Sequence, residues 1–332
     1  MYNQKQLMHL IKLIIMKNII SLAIVLFCFT ASEAQQEQQY TQFMFNKMSF
    51  NPAVAGSSNA SCLTVLNRSQ WIGFDGAPNA QLVTFNMPFM NGRVGAGGQI
   101  SRQSIGVDRR VTMDAVYAYR IPFATGSLAL GLQASVRYRG INFNDPRVIS
   151  TTPLSQDNAI QPGFQSKLLP NVGFGAYYNS ETYYLGASIP RVIKNNLGFG
   201  EGTTPLSREA IHGYFMGGIV MTLTDKLKLQ PQTMIKIAAN SPTVGEANVN
   251  LIYMDKFTTG LTYRSGGSSK VGIGEALCVL FSVQATDKFL LGMSYDYTMS
   301  ELRNNSTGSF ELALRYCFKK AEGNQYVNPR FF

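Results

Sequence analysis

The stretch Leu128-Ala129-Leu130-Gly131-Leu132-Gln133-Ala134-Ser135-Val136-Arg137-Tyr138-Arg139 decides how the rest of the chain is read. Leu128, Leu130, Leu132, Val136 and Tyr138 fall on one side of a period-two repeat; Gly131, Gln133, Ser135, Arg137 and Arg139 fall on the other. Successive side chains of a strand point to opposite faces, so this is a strand with one apolar and one polar face. The pattern returns downstream. Phe257, Thr259, Leu261 and Tyr263 oppose Thr258, Gly260, Thr262 and Arg264, and Leu291, Met293, Tyr295 and Tyr297 oppose Gly292, Ser294, Asp296 and Thr298. Phe310, Leu312, Leu314, Tyr316 and Phe318 oppose Glu311, Ala313, Arg315 and Cys317.

Connections between such segments alternate in length. Tight turns fall at Asn91-Gly92, Ala124-Thr125-Gly126, Ser180-Glu181, Thr224-Asp225-Lys226, Asp255-Lys256 and Thr286-Asp287-Lys288. Between them come polar loops at Trp71–Pro78, Gln103–Arg110, Gly140–Leu168, Val192–Ile211, Ala239–Gly245, Gly266–Ser269 and Thr298–Thr307. Short ends on one side and long ends on the other belong to an antiparallel transmembrane β-barrel. The spacing predicts fourteen strands, at 60–69, 79–88, 93–102, 111–122, 127–139, 170–179, 182–191, 212–223, 227–238, 246–254, 256–265, 270–283, 288–297 and 308–318. An even number places both termini on one side, with the tight turns, and for an outer-membrane barrel that side is the periplasm. Tyr117/Tyr119, Tyr177-Tyr178, Tyr183-Tyr184 and Trp71/Phe74 sit near strand ends, as interfacial aromatic girdles do. A soluble sandwich would show its polar face to water; here a face of Gly, Ser, Gln and isolated charges suits a wet or packed lumen.

Residues 1–34 read as a leader outside the fold. Met16-Lys17-Asn18, the apolar run Ile19–Thr30 and Ser32-Glu33-Ala34 form a secretory signal with cleavage expected after Ala34; residues 1–15 read as a spurious extension before Met16. The apolar run is short for a spanning helix. Leu26-Phe27-Cys28-Phe29 lacks the small residues of a lipid-anchored Cys. Of 29 basic and 19 acidic residues, Lys5, Lys12, Lys17 and Glu33 leave with the leader, so the processed chain has 26 and 18 and a surplus of eight positive charges. For an exported chain this surplus points to anionic lipid headgroups, or to an acidic partner or solute, and not to a nucleic acid. Residues 35–59 are too irregular for a strand and too apolar for a free tail. They are expected in the lumen or along the periplasmic rim, followed by a barrel at 60–318 and a periplasmic tail at 319–332.

Three cysteines follow the leader, Cys62, Cys278 and Cys317, with no metal or redox spacing. In a closed barrel the first and last strands are neighbours, and Cys62 and Cys317 both face inward near one end. A disulfide across that seam is one reading; two buried, unpaired thiols is the preferred one.

Signals of chemistry are weak. The single histidine after the leader, His212, stands near Ser207 and Glu209, but proximity on a loop does not make a triad. Gly95-Ala96-Gly97-Gly98 and Gly198–Gly202 open no helix, so they read as strand curvature and loop flexibility, not as a phosphate cradle. No cofactor, metal or catalytic residue is assigned. The inward charges lean positive: Arg120, Arg137, Arg139, Lys228, Lys236, Arg264 and Arg315 against Asp114, Asp296 and Glu311. They either bias a pore toward anions or pair with one another and with an inserted N-terminal segment; the second reading is preferred.

Three blocks carry a resemblance. Tyr40-Thr41-Gln42-Phe43-Met44-Phe45-Asn46, Asn51-Pro52-Ala53-Val54-Ala55-Gly56 and Arg68-Ser69-Gln70-Trp71-Ile72-Gly73-Phe74-Asp75-Gly76-Ala77-Pro78 resemble the N-terminal hallmark of the PorP/SprF family. Tyr295-Asp296-Tyr297 and the closing Pro329-Arg330-Phe331-Phe332 are similar to that family's ending. Val54 stands where an aromatic residue is expected. The resemblance implies a non-enzymatic outer-membrane component of the type IX secretion system, linked in some members to gliding motility. Its implied partners are secreted cargo such as adhesins, other secretion subunits and outer-membrane lipid. The motif residues Tyr40, Phe43, Phe45, Asn46, Asn51, Pro52, Gly56, Arg68, Gln70, Trp71, Gly73, Phe74, Gly76, Pro78, Pro329, Arg330, Phe331 and Phe332 are the candidates for partner binding. Cargo recognition is expected from Gly140–Leu168 and Val192–Ile211, over Trp71–Pro78 as a rigid floor. Periplasmic contacts are expected from Gln35–Gly56 and Lys319–Phe332. The alternative is a channel for hydrophobic or anionic solutes.

Overall fold

Alternation in the sequence becomes alternation in space. In the strand Gly126–Asn142, Leu130, Leu132, Val136 and Tyr138 are exposed on the outer wall, while Ala129, Gln133, Ser135 and Arg137 are buried inside. The structure is a computed structural model that describes residues 37–58, 60–148, 163–199, 208–239, 241–266 and 274–320. The expected leader and the motif residues Pro329, Arg330, Phe331 and Phe332 lie outside the described residues, as do 149–162 and 200–207 of the two longest loops.

Fifteen strands form one sheet: β1 (Ala60–Ser69), β2 (Asn79–Phe89), β3 (Val94–Ile105), β4 (Asp108–Phe123), β5 (Gly126–Asn142), β6 (Phe164–Asn179), β7 (Tyr183–Ile189), β8 (His212–Ile219), β9 (Met221–Thr224), β10 (Leu227–Ala238), β11 (Val244–Tyr253), β12 (Phe257–Arg264), β13 (Ala276–Gln284), β14 (Phe289–Thr298) and β15 (Ser309–Lys320). β8 and β9 both pair with β10 and are one crossing interrupted at Val220, whose N–H donates to Thr182 O at 2.7 Å. The barrel therefore has fourteen antiparallel crossings, as expected, each beside its neighbour in sequence, and β15 pairs with β1 to close the ring. Closure removes the free edge strands that a sheet in lipid cannot have, although β6 pairs with β7 only over 174–179. The tight turns share one rim with the start of β1 and the end of β15; the long loops form the opposite rim. No helix among the described residues is long and apolar enough to cross a membrane. Exposed rings gather near both rims: Tyr119, Phe123, Tyr183, Tyr253, Phe257 and Phe318 at the short-turn end, and Tyr138, Phe164, Tyr263, Tyr297 and Phe310 at the long-loop end.

Tyr177 and Tyr184, expected in the girdles, are instead buried inside the barrel. Two further expectations need correction. Gln103–Arg110 is not a loop: β3 and β4 meet at a two-residue turn, Gly106-Val107, with Gly106 at φ +55°. Likewise β5 runs on to Asn142 and β6 starts at Phe164, so strand replaces both ends of the expected loop 140–168. The reason is Asp108, which ion-pairs with Arg110 at 2.8 Å and Arg139 at 2.9 Å. Asp108 and Arg110, which read as loop residues, are inward-facing rungs of a longer β4, paired with the inward Arg139. The second correction concerns the seam. Cys62 and Cys317 are not free thiols; they are direct register partners across β1 and β15, Cα atoms 4.0 Å apart, and they are bonded. Cys278 is a free, buried thiol.

The apolar core lies inside the barrel. Phe43, Met48, Phe50 and Val54, from the segment before β1, pack with inward residues that include Leu66, Leu82, Tyr177, Tyr214, Met234 and Leu280. Each fully buried side chain of this size contributes roughly 1.5–3 kcal/mol. The lumen thus does what the interior of a soluble protein does.

Candidate functional site

Residues 37–58 cross the lumen from rim to rim. Glu37 lies at the long-loop end beside Arg137, Arg191 and His212. Gly56 and Ser58 lie at the short-turn end, where Asn86 holds the N–H of Gly56 and donates to Ser58. Between them the chain makes three 3-10 turns, Phe43–Phe45, Lys47–Ser49 and Pro52–Val54. The last is set locally: Asn51 accepts the N–H of Ala53 at 3.0 Å, and Pro52 occupies the first turn position, where its missing N–H costs nothing.

Glycines of the wall receive this segment. A Cβ at Gly95 would overlap the carbonyl of Ala55, one at Gly131 the backbone of Ala53, and one at Gly175 the amide oxygen of Asn51. A Cβ at Gly186 would come within 2.9 Å of Asn51 Nδ2. Gly95 on β3 and Gly131 on β5 let backbone meet backbone, while Gly175 on β6 and Gly186 on β7 make room for the Asn51 side chain. Asn51 uses the approach to donate to Ala176 O at 2.9 Å, and Ser188 donates to Phe50 O at 2.6 Å. Gly95 and Gly97, read from sequence as aids to curvature, are seats for Ala55 and Met48.

A buried ionic cluster grips Thr41 and Gln42. Glu311 accepts the backbone N–H groups of Thr41 at 3.0 Å and Gln42 at 2.8 Å. The Thr41 hydroxyl donates to Asp296 at 2.7 Å and accepts from Arg68 at 3.0 Å and Arg264 at 3.1 Å. Arg68 also pairs with Asp296 at 2.8 Å and Glu311 at 3.2 Å; Arg264 pairs with Asp296 at 3.2 Å. Lys236 and Glu246 extend the network, with Glu246 shared by Arg264. Three cations therefore face three carboxylates, all buried, which is the arrangement in which buried charge is tolerated.

A second cluster closes the long-loop mouth. Arg137 bridges Glu37 at 2.8 Å and Glu209 at 2.5 Å, and Arg191 reaches Glu37 at 3.4 Å. Burial opposes ionisation of Glu37, but Arg137, Arg191 and His212 outweigh it and hold the carboxyl well below the usual carboxylate range. His212 accepts the Glu37 N–H through Nε2 at 3.4 Å, and its Nδ1 lies 3.0 Å from the Ala210 carbonyl. Both ring nitrogens are engaged, and Glu209 is held by Arg137, Asn171 and Asn195. Residues 190–199 fold across this mouth: Asn171 donates to Ile193 O at 2.9 Å, Arg139 to Leu197 O at 2.8 Å and Lys167 to Gly198 O at 3.1 Å.

The Trp71–Pro78 loop is a fixed display. Ile72 exchanges backbone hydrogen bonds with Gly308 and Thr307 at 2.7 and 2.9 Å, Trp71 N–H donates to Ser309, Gln70 N–H to Pro78 O, and Gly106 N–H to Gly76 O. Gly73 and Gly76 take φ of +94° and +71°, and Phe74 stands 46 % exposed at the rim.

Site candidates from the sequence thus fall in three places. Tyr40, Phe43, Phe45, Asn46, Asn51, Pro52 and Gly56 belong to the inserted segment, Arg68 to the cluster beneath it, and Gln70, Trp71, Gly73, Phe74, Gly76 and Pro78 to the rim loop. Among the inward charges, Arg137, Lys236, Arg264, Asp296 and Glu311 are buried in ion pairs; Arg139 pairs with Asp108. Arg120 donates to the carbonyls of Ala55 and Gly92, and Arg315 lies over the Phe45 ring at 5.9 Å. Lys228 pairs with Asp255 near the short-turn rim. Sequence reasoning missed Glu37, Thr41, Arg191, Glu209 and Glu246 as partners of these charges. The cavities left beside the segment are small, about 50 Å³ near Lys47 and Arg315 and about 20 Å³ near Glu37 and His212.

The family model described as "Type IX secretion system membrane protein PorP/SprF" matches residues 32–316. Comparison with curated proteins finds no match. Similar solved structures include the outer membrane protein Omp33 of Acinetobacter baumannii, at TM-score 0.45 and 9% identity over 79% of this chain and 100% of that one. The CymD monoaromatic hydrocarbon channel gives TM-score 0.49 and 12% identity over 89% and 96%, and the toluene transporter TbuX of Ralstonia pickettii 0.48 and 10% over 85% and 94%.

Proposed function

The chain belongs to the PorP/SprF family of type IX secretion system membrane proteins, and from that premise we propose that it serves as a closed, protein-binding barrel of the outer membrane. Its long-loop face looks outward and binds secreted cargo such as adhesins, supporting their secretion or surface attachment and, where the cell glides, motility. Its short-turn face and C-terminal tail meet other secretion subunits. One observation carries this reading: the chain fills its own lumen, and inward charges such as Arg68, Arg137, Arg264, Asp296 and Glu311 hold that filling. Thr41 alone ties together Arg68, Arg264 and Asp296. A solute channel of hydrophobic or anionic selectivity would need those groups free and a continuous path, and the cavities beside the segment near Lys47 and near Glu37 hold no more than a few waters.

The rigid Trp71–Pro78 loop and the segment folded over the mouth suit a docking surface, because preorganised groups lose little freedom on binding. Replacing the connection between Asn142 and Phe164 by a short turn tests the reading. The barrel should still assemble in the membrane while its cargo disappears from the cell surface. Normal display by that variant sinks the assignment. A large, steady conductance of the purified wild-type protein in a planar bilayer would favour the channel instead.

A further inference from the structure

Both strand ends of the barrel, at Ala60 and Lys320, lie on the short-turn rim. The chain ahead of β1 does not stay there. Passing backward from Ser58, it runs by Gly56 beside Gly95, Ala53 against Gly131, Asn51 between Gly175 and Gly186, and Thr41 on Arg68 and Asp296, to Glu37. Ala53 and Asn51 sit at one level, since Gly131 and Gly175 are register partners; from there to Thr41 and Glu37 the chain moves away from the short turns. Arg68 is next to last in β1, Arg264 is last in β12, and Glu275, which accepts from Gln39 at 3.5 Å, directly precedes β13. Glu37 is held by Arg191 and His212, on the two sides of the connection from β7 to β8. That connection is one of the long loops.

From this path we infer that the polypeptide enters the lumen from the long-loop face, so that the processed N-terminal end is presented beside the long loops and opposite the C-terminal tail. Twenty-two residues from Glu37 to Ser58 suffice for one crossing, since even 3-10 turns rise about 2 Å per residue and extended chain more. Parity of strands, which sets where β1 and β15 begin and end, says nothing about a segment that crosses the interior. This extends the proposed function by adding the N-terminal end to the face that meets cargo. Which face is the cell exterior rests on that reading; the shared face of Glu37 and the long loops does not.

Three single-epitope variants of the full-length protein provide the test: an epitope directly before Glu37, one after Asn305 in the connection between β14 and β15, and one after Phe332. Antibody binding is compared on intact cells and on cells with a permeabilised outer membrane, and heat-shifted gel mobility verifies that each barrel is folded. The Glu37 epitope should be reached together with the Asn305 epitope and not with the Phe332 epitope. Accessibility that follows Phe332, or none on either face, overturns the inference. If Asn305 is shielded and Phe332 exposed on intact cells, the assigned exterior is wrong, while the Glu37 comparison still distinguishes the two faces. Should the epitope before Glu37 prevent folding, Gln38→Cys with a membrane-impermeant maleimide replaces it, Gln38 being half-buried at the mouth. Labelling from the Asn305 side is then expected, and labelling from the Phe332 side overturns it.

Discussion

Gly175 exists to make room for Asn51. A methyl group on β6 at that position would overlap the Asn51 amide oxygen and press on Pro52, and the wall behind it is continuous sheet that cannot recede. Gly175→Ala should therefore cost about 1–3 kcal/mol, the range for overpacking a filled interior, seen as a lower temperature for the heat-induced gel shift. Asn51→Gly removes the clashing atom together with the bond to Ala176 O. The double variant should consequently be less destabilised than the two single effects combined. Strict additivity would mean that the two residues do not meet.

The cluster around Thr41 predicts a different response. Asp296 accepts from Arg68, Arg264 and Thr41, so Asp296→Asn leaves two guanidinium groups facing one fewer charge in a buried site. Breaking such a buried pair from one side costs on the order of 3–5 kcal/mol. Thr41→Val removes only the hydroxyl and should cost less, about 1–3 kcal/mol. Both should raise protease sensitivity of the inserted segment before the barrel itself unfolds. Equal resistance of wild type and Asp296→Asn would show that the cluster does not hold the segment.

Strand number, order and the two faces were legible because lipid enforces alternation at every crossing, and Leu128–Arg139 states it within twelve residues. Strand ends were less legible where Asp108, Arg110 and Arg139 satisfy one another inside the mouth. The charges of Asp108 and Arg110 alone read as loop, whereas Arg139 was legible as an inward strand residue. The site was half legible: Tyr40–Asn46 and Asn51–Gly56 stood out as blocks, and Arg68, Asp296 and Glu311 as inward charges. Nothing local joined them, because Thr41 meets Asp296 and Glu311 across 255 and 270 residues. The glycines were visible too, but a seat for another chain segment and a point of curvature look alike in a sequence.

The seam bond should be stabilising and measurable. Cys62 and Cys317 enclose a separation of 255 residues, so oxidation restricts nearly the whole unfolded chain. Cys62→Ser/Cys317→Ser should lose about 2–5 kcal/mol, and the unfolded wild-type protein should run faster on a gel without reductant than with it. Identical mobility in the two lanes would mean that the thiols are not joined. Cys278→Ser should leave that mobility difference intact, since its thiol is unbridged.

Glu37 gives the long-loop mouth a pH dependence. Burial pushes its carboxyl up, but Arg137, Arg191 and His212 together pull it further down, well below the ordinary 4.5. A carboxylate held this way contributes stability that is fully present above the unfolded value and is lost as pH falls toward the folded one. Between those two values the unfolded chain carries a proton that the folded protein does not. Glu37→Gln leaves Arg137 and Arg191 short of one partly buried carboxylate at the mouth, which costs on the order of 1–3 kcal/mol where the carboxylate is ionised in both states. Heat-shift midpoints of the detergent-solubilised wild type and Glu37→Gln should therefore differ where Glu37 is ionised in both states and converge as the pH drops below 4.5. Asp296 and the other buried carboxylates are common to both proteins, so their own losses in acid cancel from the comparison. A gap that keeps its full width into strong acid would mean that the Glu37 side chain acts there by its shape and not by its charge.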